Sequence, residues 1–158
     1  MFKTELKVDV FSMQGKTVLI TGASSGFGHH FAGVLAAAGA NVVLGARRVE
    51  KIVDRVAEIR EEGGEACGFS LDVLDRQSCQ SFLDQAQEKY GSLDVLVNNA
   101  GIGYFGAIEE SEEAQVRQMF EINVFGLAHI HDGHPLKNYA VTDVLFETAP
   151  KRSIMIDF

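Results

Sequence analysis

Cysteine is scarce in this sequence. Cys67 and Cys79 are the only two among 158 residues. Two thiols at that spacing make neither a disulfide framework nor a zinc site, and they suit a reducing compartment. Basic runs are missing too, and the formal net charge is -8. That excludes a nucleic-acid surface of the ordinary electropositive kind. The opening stretch, MFKTELKVDVFSMQGK, contains no long apolar run. Neither a secretory signal nor a membrane span is expected, and a cytoplasmic location is. Internal repeats and low-complexity segments are absent as well. What remains is a chain that is 46% hydrophobic, long enough for one domain with a real core.

The most informative stretch is TGASSGFG, Thr21 to Gly28. A short branched run, Thr17-Val18-Leu19-Ile20, precedes it and reads as a buried strand. Phe27, Phe31, Val34 and Leu35 follow at helical spacing, and Gly39 is a stop signal. Glycines between a strand and a helix allow a tight turn and let a diphosphate approach the backbone. The first N–H groups of the helix, and its dipole, then favour that charge. The spacing T-G-x-x-x-G-x-G is neither G-x-G-x-x-G nor a phosphate loop ending in Lys-Ser/Thr. A bare strand-to-helix turn without a ligand is the competing reading of this stretch alone.

Strands and helices alternate from there. Asn41 to Leu44 reads as a second strand, ending at Gly45-Ala46-Arg47-Arg48, and a helix from about Val49 to Glu62 follows. Ala66 to Val73 reads as a third strand, Asp75 as the cap of a third helix, and Leu93 to Val97 as a fourth strand running into Asn98-Asn99-Ala100-Gly101. Ser111 is expected to cap a further helix with Val116, Met119, Phe120, Asn123 and Leu127 on one face. Short links between alternating elements imply right-handed crossovers and a parallel sheet covered on both faces. Ligands of such sheets sit beyond the carboxyl ends of the strands. Gly22 to Gly28, Arg47, Asp72 and Asn98 to Gly101 all fall at such ends.

TGASSGFG, LDV at Leu71 to Val73, NNAG at Asn98 to Gly101 and Asn123 within FEINVFG occur in the order and at the separations found in one family. Over residues 12 to 130 the chain resembles the short-chain dehydrogenase/reductases. The resemblance implies a Rossmann-like, doubly wound α/β fold of three layers, truncated here after the fourth strand. It implies that Gly22, Ser24, Ser25, Gly26, Phe27 and Gly28 surround a cofactor diphosphate. Asp72 would accept from the adenine amino group, with Val73 beside the ring. Asn98 would brace the fourth strand, and Asn99, Ala100 and Gly101 would line the ribose side. Asn123 would have a supporting catalytic role, ordering a water beside the family's lysine. Singly, Asp72 could merely end a strand and Asn98-Asn99 could be a turn; four motifs in register make those readings poor.

A free ribose 2′-hydroxyl calls for a carboxylate after the second strand, whereas a 2′-phosphate calls for arginine. Family members that prefer NAD carry Asp where this chain has Ala46, and Arg47 and Arg48 come next. NADP is therefore the expected cofactor ahead of NAD, with Arg47 the first candidate for the phosphate and Arg48 beside it. The competing reading is that both arginines begin a solvated helix.

The resemblance ends near Ile130. The family's reaction uses a serine, a tyrosine and a lysine four residues after that tyrosine. Four residues past Tyr90, Tyr104 and Tyr139 stand Asp94, Ile108 and Asp143. Residues 131–158 form a tail of unassigned origin, in which Pro135 should break any continuing helix. Ala140 to Phe146 or Ser153 to Phe158 could add an edge strand beside the fourth. His129, His131, Asp132 and His134 suggest a metal cluster, but a polar loop at a helix end is the plainer reading and no metal is expected. Three functions stay open on the sequence: an NADP-dependent oxidoreductase acting on an alcohol or carbonyl, with this chain limited to cofactor binding; a non-catalytic NADP-binding or partner-binding protein; and a non-functional truncated product. Self-association, or pairing with full-length relatives, is the expected protein contact.

Overall fold

A computed structural model describes residues 12–103, 111–132 and 140–142. Five strands form one sheet: β1 (Thr17–Thr21), β2 (Asn41–Ala46), β3 (Glu65–Ser70), β4 (Val95–Val97) and β5 (Ala140–Thr142). Their order is β3-β2-β1-β4-β5, and every pairing is parallel. Helices α1 (Gly26–Ala37), α2 (Val49–Glu61) and α3 (Arg76–Tyr90) cross between the first four strands. Beyond β4, α4 (Glu113–Phe120), one π-helical turn (Glu121–Phe125) and α5 (Gly126–Asp132) follow one another without a break. The result is the expected doubly wound, Rossmann-like parallel sheet in three layers.

Alternation along the strands divides the core in two. Val18 and Ile20 of β1, with Val42 and Leu44 of β2, meet Ala32 and Ala36 of α1 and Ile52, Val56 and Ile59 of α2. Leu19, Val43 and Leu96 point the other way, onto Cys79, Phe82 and Leu83 of α3 and onto Ile122 and Ile130. All five residues of β1 are buried, as a central strand covered on both faces requires.

Several expected details change. On α1 the buried positions are Gly28, Ala32 and Ala36, not the large apolar residues. Phe27 is 76% exposed and Val34 52% exposed. Small side chains let this helix lie close to the sheet; Phe31 and Leu35 pack half-buried against the core, and the exposed Phe27 ring stacks on Phe31 with centroids 6.1 Å apart. β3 ends at Ser70 rather than Val73. Leu71 N still reaches Ala46 O at 3.2 Å, but β2 has no residue left to pair beyond it. β4 begins at Val95 rather than Leu93, because Asp94 turns its carboxylate onto Thr17 N at 2.9 Å. The helix after residue 110 starts beyond Glu112, not at Ser111. Its expected apolar face does not form: Val116 and Phe120 are exposed and no α4 residue is buried. The π turn inserts an extra residue into the helical repeat and rotates the following face, so that Ile122 and Ile130 are buried instead.

Helix ends follow the sequence more closely. Asp75 accepts from Gln77 N at 2.9 Å and caps α3, and Gly91, at φ 76°, closes it. β5 lies along the far side of β4, with Val95, Leu96 and Val97 opposite Ala140, Val141 and Thr142. The alternative edge stretch, Ser153 to Phe158, lies outside the described residues, as do Tyr104 to Glu110, His134 and Pro135.

Candidate cofactor site

The carboxyl ends of β1 and β4 are tied together by two side chains. Thr21 Oγ1 accepts from the backbone N–H groups of Asn99 (2.9 Å) and Ala100 (2.8 Å). The Asn99 side-chain amide donates to Thr21 O (3.0 Å) and Gly22 O (3.2 Å). The sequence assigned this bracing to Asn98 and the cleft lining to Asn99; the bracing amide is that of Asn99, which is not among the residues lining the cleft. Asn98 Nδ2 and Oδ1 are buried with no partner among the described residues. Alternation explains the exchange, since consecutive residues leaving a strand face opposite sides of the sheet.

This lacing leaves no room for side chains at two of the motif's glycines. Gly22 has φ 66°, and a Cβ on it would stand 2.8 Å from Ala100 Cα. A Cβ on Gly28 would run into Asn99 Nδ2 and the carbonyl of Gly22. Gly28 is thus a seat for Asn99 rather than a wall of the cleft. The extended Ser25 precedes α1, whose N-terminus has no side-chain cap and no acidic residue in its first turn. Its orphan N–H groups and positive dipole end therefore face the cleft uncompensated.

The cleft measures about 500 Å³ and runs across the carboxyl ends of β1 to β4. Gly22, Ser24 and Ser25 form its floor near α1. Ala46, Arg47 and Arg48 come from the end of β2, Asp72 and Val73 from the loop after β3, and Ala100 and Gly101 from the loop after β4. Among the residues expected to meet the cofactor, Phe27 instead points into solvent. Leu71, the first residue of LDV, also lines the cleft, as do Leu74 and Ile122, which the motifs did not single out. The only sequence signal of Leu74 and Ile122 was apolar character next to LDV and Asn123.

Arg48 reaches back over the turn and donates to Ser24 Oγ and Ser25 Oγ, both at 2.9 Å. Arg47 has no partner among the described residues and lines the cleft. Asp72 Oδ1 accepts from Leu74 N at 3.0 Å, and Ser78 Oγ accepts from Asp72 N at 2.9 Å. These bonds hold the loop. Asn123 sits in the π turn. Its Oδ1 accepts from Ile102 N (2.9 Å) and its Nδ2 donates to Ile102 O (2.8 Å), which fixes the chain after NNAG.

His129 Nδ1 lies 3.0 Å from Val73 O, and no group of three metal-ligating side chains forms among the described residues. No helix among the described residues is long and apolar enough to cross a membrane.

Residues 16–133 match the family model described as short chain dehydrogenase. An uncharacterised oxidoreductase of Methylorubrum extorquens is 36% identical over 148 residues, which are 87% of this chain and 60% of that protein. A short-chain dehydrogenase/reductase from Burkholderia phymatum, crystallised in complex with NAD, aligns with a TM-score of 0.76 and 32% identity over 82% of this chain and 48% of its own. An alcohol dehydrogenase from Thermococcus sibiricus complexed with 5-hydroxy-NADP gives 0.73 and 34% over 80% of this chain and 57% of its own. The chain spans about half the length of the curated relatives it matches.

Proposed function

Because the chain belongs to the short-chain dehydrogenase family, we propose that its strand-end cleft binds a nicotinamide dinucleotide, NADP(H) ahead of NAD(H), in the service of alcohol–carbonyl oxidoreduction. The observation that carries this reading is the cleft itself, in which the residues leading into an uncapped helix N-terminus, two arginines and an aspartate share one continuous wall. Their spacing suits the chemistry of the ligand. The diphosphate would lie over Gly22, Ser24 and Ser25 at the positive end of α1. The 2′-phosphate would meet Arg47, with Arg48 held beside it by the two serines, while Ala46 offers no carboxylate to a free 2′-hydroxyl. Adenine would place its amino group on Asp72 and its ring against Val73. Ala100 and Gly101 would follow the riboses.

When bound, the cofactor supplies or takes the hydride. The residues of this chain bind and orient it, and Asn123 keeps the loop after β4 in place. Proton transfer to the substrate oxygen needs a positioned acid. Within these 158 residues no tyrosine is followed four places later by lysine. The 158-residue chain is therefore a binding half, and its reading as a non-catalytic cofactor binder rests on that one sequence fact. Titration calorimetry of the purified chain with NADPH and NADH tests both parts, alongside a ketone and aldehyde panel with NADPH. Tighter NADPH binding without turnover is expected, and Arg47→Ala should narrow the NADPH–NADH gap by about 1–3 kcal/mol, the size of a charge-assisted hydrogen bond. Equal affinity for the two cofactors in the unaltered protein contradicts the role of Arg47. Turnover that disappears in Gly28→Ala contradicts the binding-only reading.

A further inference from the structure

The loop Asp72–Val73 stands at the adenine end of the cleft but belongs to no strand or helix. Its geometry comes from what grips it. From α3, the Cys79 thiol donates weakly to Asp72 O and Val73 O at 3.7 and 3.8 Å. From α5, Gly126 lies so close that a Cβ on it would meet the Val73 side chain at 2.8 Å. One turn further along α5, the His129 ring nitrogen Nδ1 stands 3.0 Å from Val73 O. A carbonyl can only accept, so Nδ1 carries the proton and donates. This is the one full-strength hydrogen bond that Val73 O receives among the described residues.

We propose that His129 is a positioning residue for cofactor binding, setting the adenine wall by its bond to Val73 O without touching the cofactor. The inference rests on the cofactor-site reading above. The bond joins two parts of the chain that lie far apart in sequence, α5 and the β3–α3 loop. It therefore makes the adenine wall depend on the docking of the helix that follows the π turn. Loss of the donor leaves Val73 O with only the long thiol contact, and the Asp72–Val73 backbone loses its hold on one side.

Two variants separate the hydrogen bond from the shape of the ring. His129→Asn keeps a side-chain N–H near the position of Nδ1, whereas His129→Leu keeps bulk and removes the donor. Amide hydrogen exchange over residues 71–78 of the unliganded chain reads the loop directly. Calorimetry with NADPH and with adenosine 2′,5′-bisphosphate, which lacks the nicotinamide half, reads the consequence. His129→Leu should speed exchange in the loop and weaken both ligands by the same factor, about fivefold for one net hydrogen bond. His129→Asn should recover most of both. Unchanged exchange and affinity in His129→Leu, or an Asn variant no better than the Leu variant, overturns the proposal. Failure of the unaltered chain to bind NADPH overturns the cofactor reading instead, and the exchange measurement still decides whether His129 holds the loop.

Discussion

The hydroxyl of Thr21 accepts two backbone N–H groups at the base of the cleft, those of Asn99 and Ala100. Thr21 is fully buried, so nothing else can take those protons if the oxygen is removed. Valine has nearly the same shape and no acceptor. Thr21→Val should therefore cost about 2–4 kcal/mol, the penalty of two orphaned buried donors, while Thr21→Ser should cost much less. Urea unfolding of the three proteins measures this, and a Thr21→Val midpoint equal to that of the unaltered protein would show that the lacing between β1 and β4 contributes nothing. The same scale explains why Asn98 and Asn99 were hard to tell apart. NNAG marks the end of a strand, but only the side on which each residue leaves the sheet decides which amide meets the carbonyls of Thr21 and Gly22. His129 was visible in sequence only as part of a doubtful metal cluster. Its partner, Val73 O, is a backbone group and has no signature in the order of residues.

Among the elements, α3 carries the clearest titration. Burial pushes the Cys79 thiol up to about 11 from its ordinary 9.0, with Asp75 and Asp72 adding to the rise and Arg76 opposing it. Burial also raises the thiol of Cys67 and the hydroxyl of Tyr90. A raised acid stays protonated in the folded state while the unfolded chain already releases its proton. The stability that Cys79 contributes is thus complete below about pH 9 and is lost as the pH climbs to about 11. Unfolding midpoints followed from about pH 8 to about pH 11 should fall through that window, and Cys79→Ala should show a shallower fall. A slope unaffected by the substitution would mean that other groups control alkaline unfolding. The elements themselves were largely legible, because alternating apolar runs with glycine stops at Gly39, Gly63 and Gly91 leave few other topologies. What escaped was side-chain size on α1, where Gly28, Ala32 and Ala36 are the fully buried positions and Phe27 is exposed, and the π turn after α4. Helical spacing alone carries neither a close helix–sheet approach nor one inserted residue.

At the scale of the whole molecule, β4 is a three-residue strand with β1 on one side and β5 on the other. Without β5 a row of apolar residues and unpaired backbone groups would form an edge, a template for another chain. Removal of residues 133–158 should therefore make the protein self-associate, which light scattering detects; a shortened chain that stays monomeric and as stable as the intact one would show that β5 does not protect this edge. The strand-end cleft lies at the opposite end of the sheet from a second, smaller hollow near Gly39 and Gly64, about 350 Å³ in volume at the amino ends of the strands. An NMR titration of the nitrogen-15-labelled chain with NADPH distinguishes the two. Saturable shifts confined to the amides of Gly22–Gly28, Arg47–Arg48, Asp72–Val73 and Ala100–Gly101 are the predicted result. Shifts centred on Gly39 and Gly64, or none that saturate, would contradict the assignment of the strand-end cleft as a dinucleotide site.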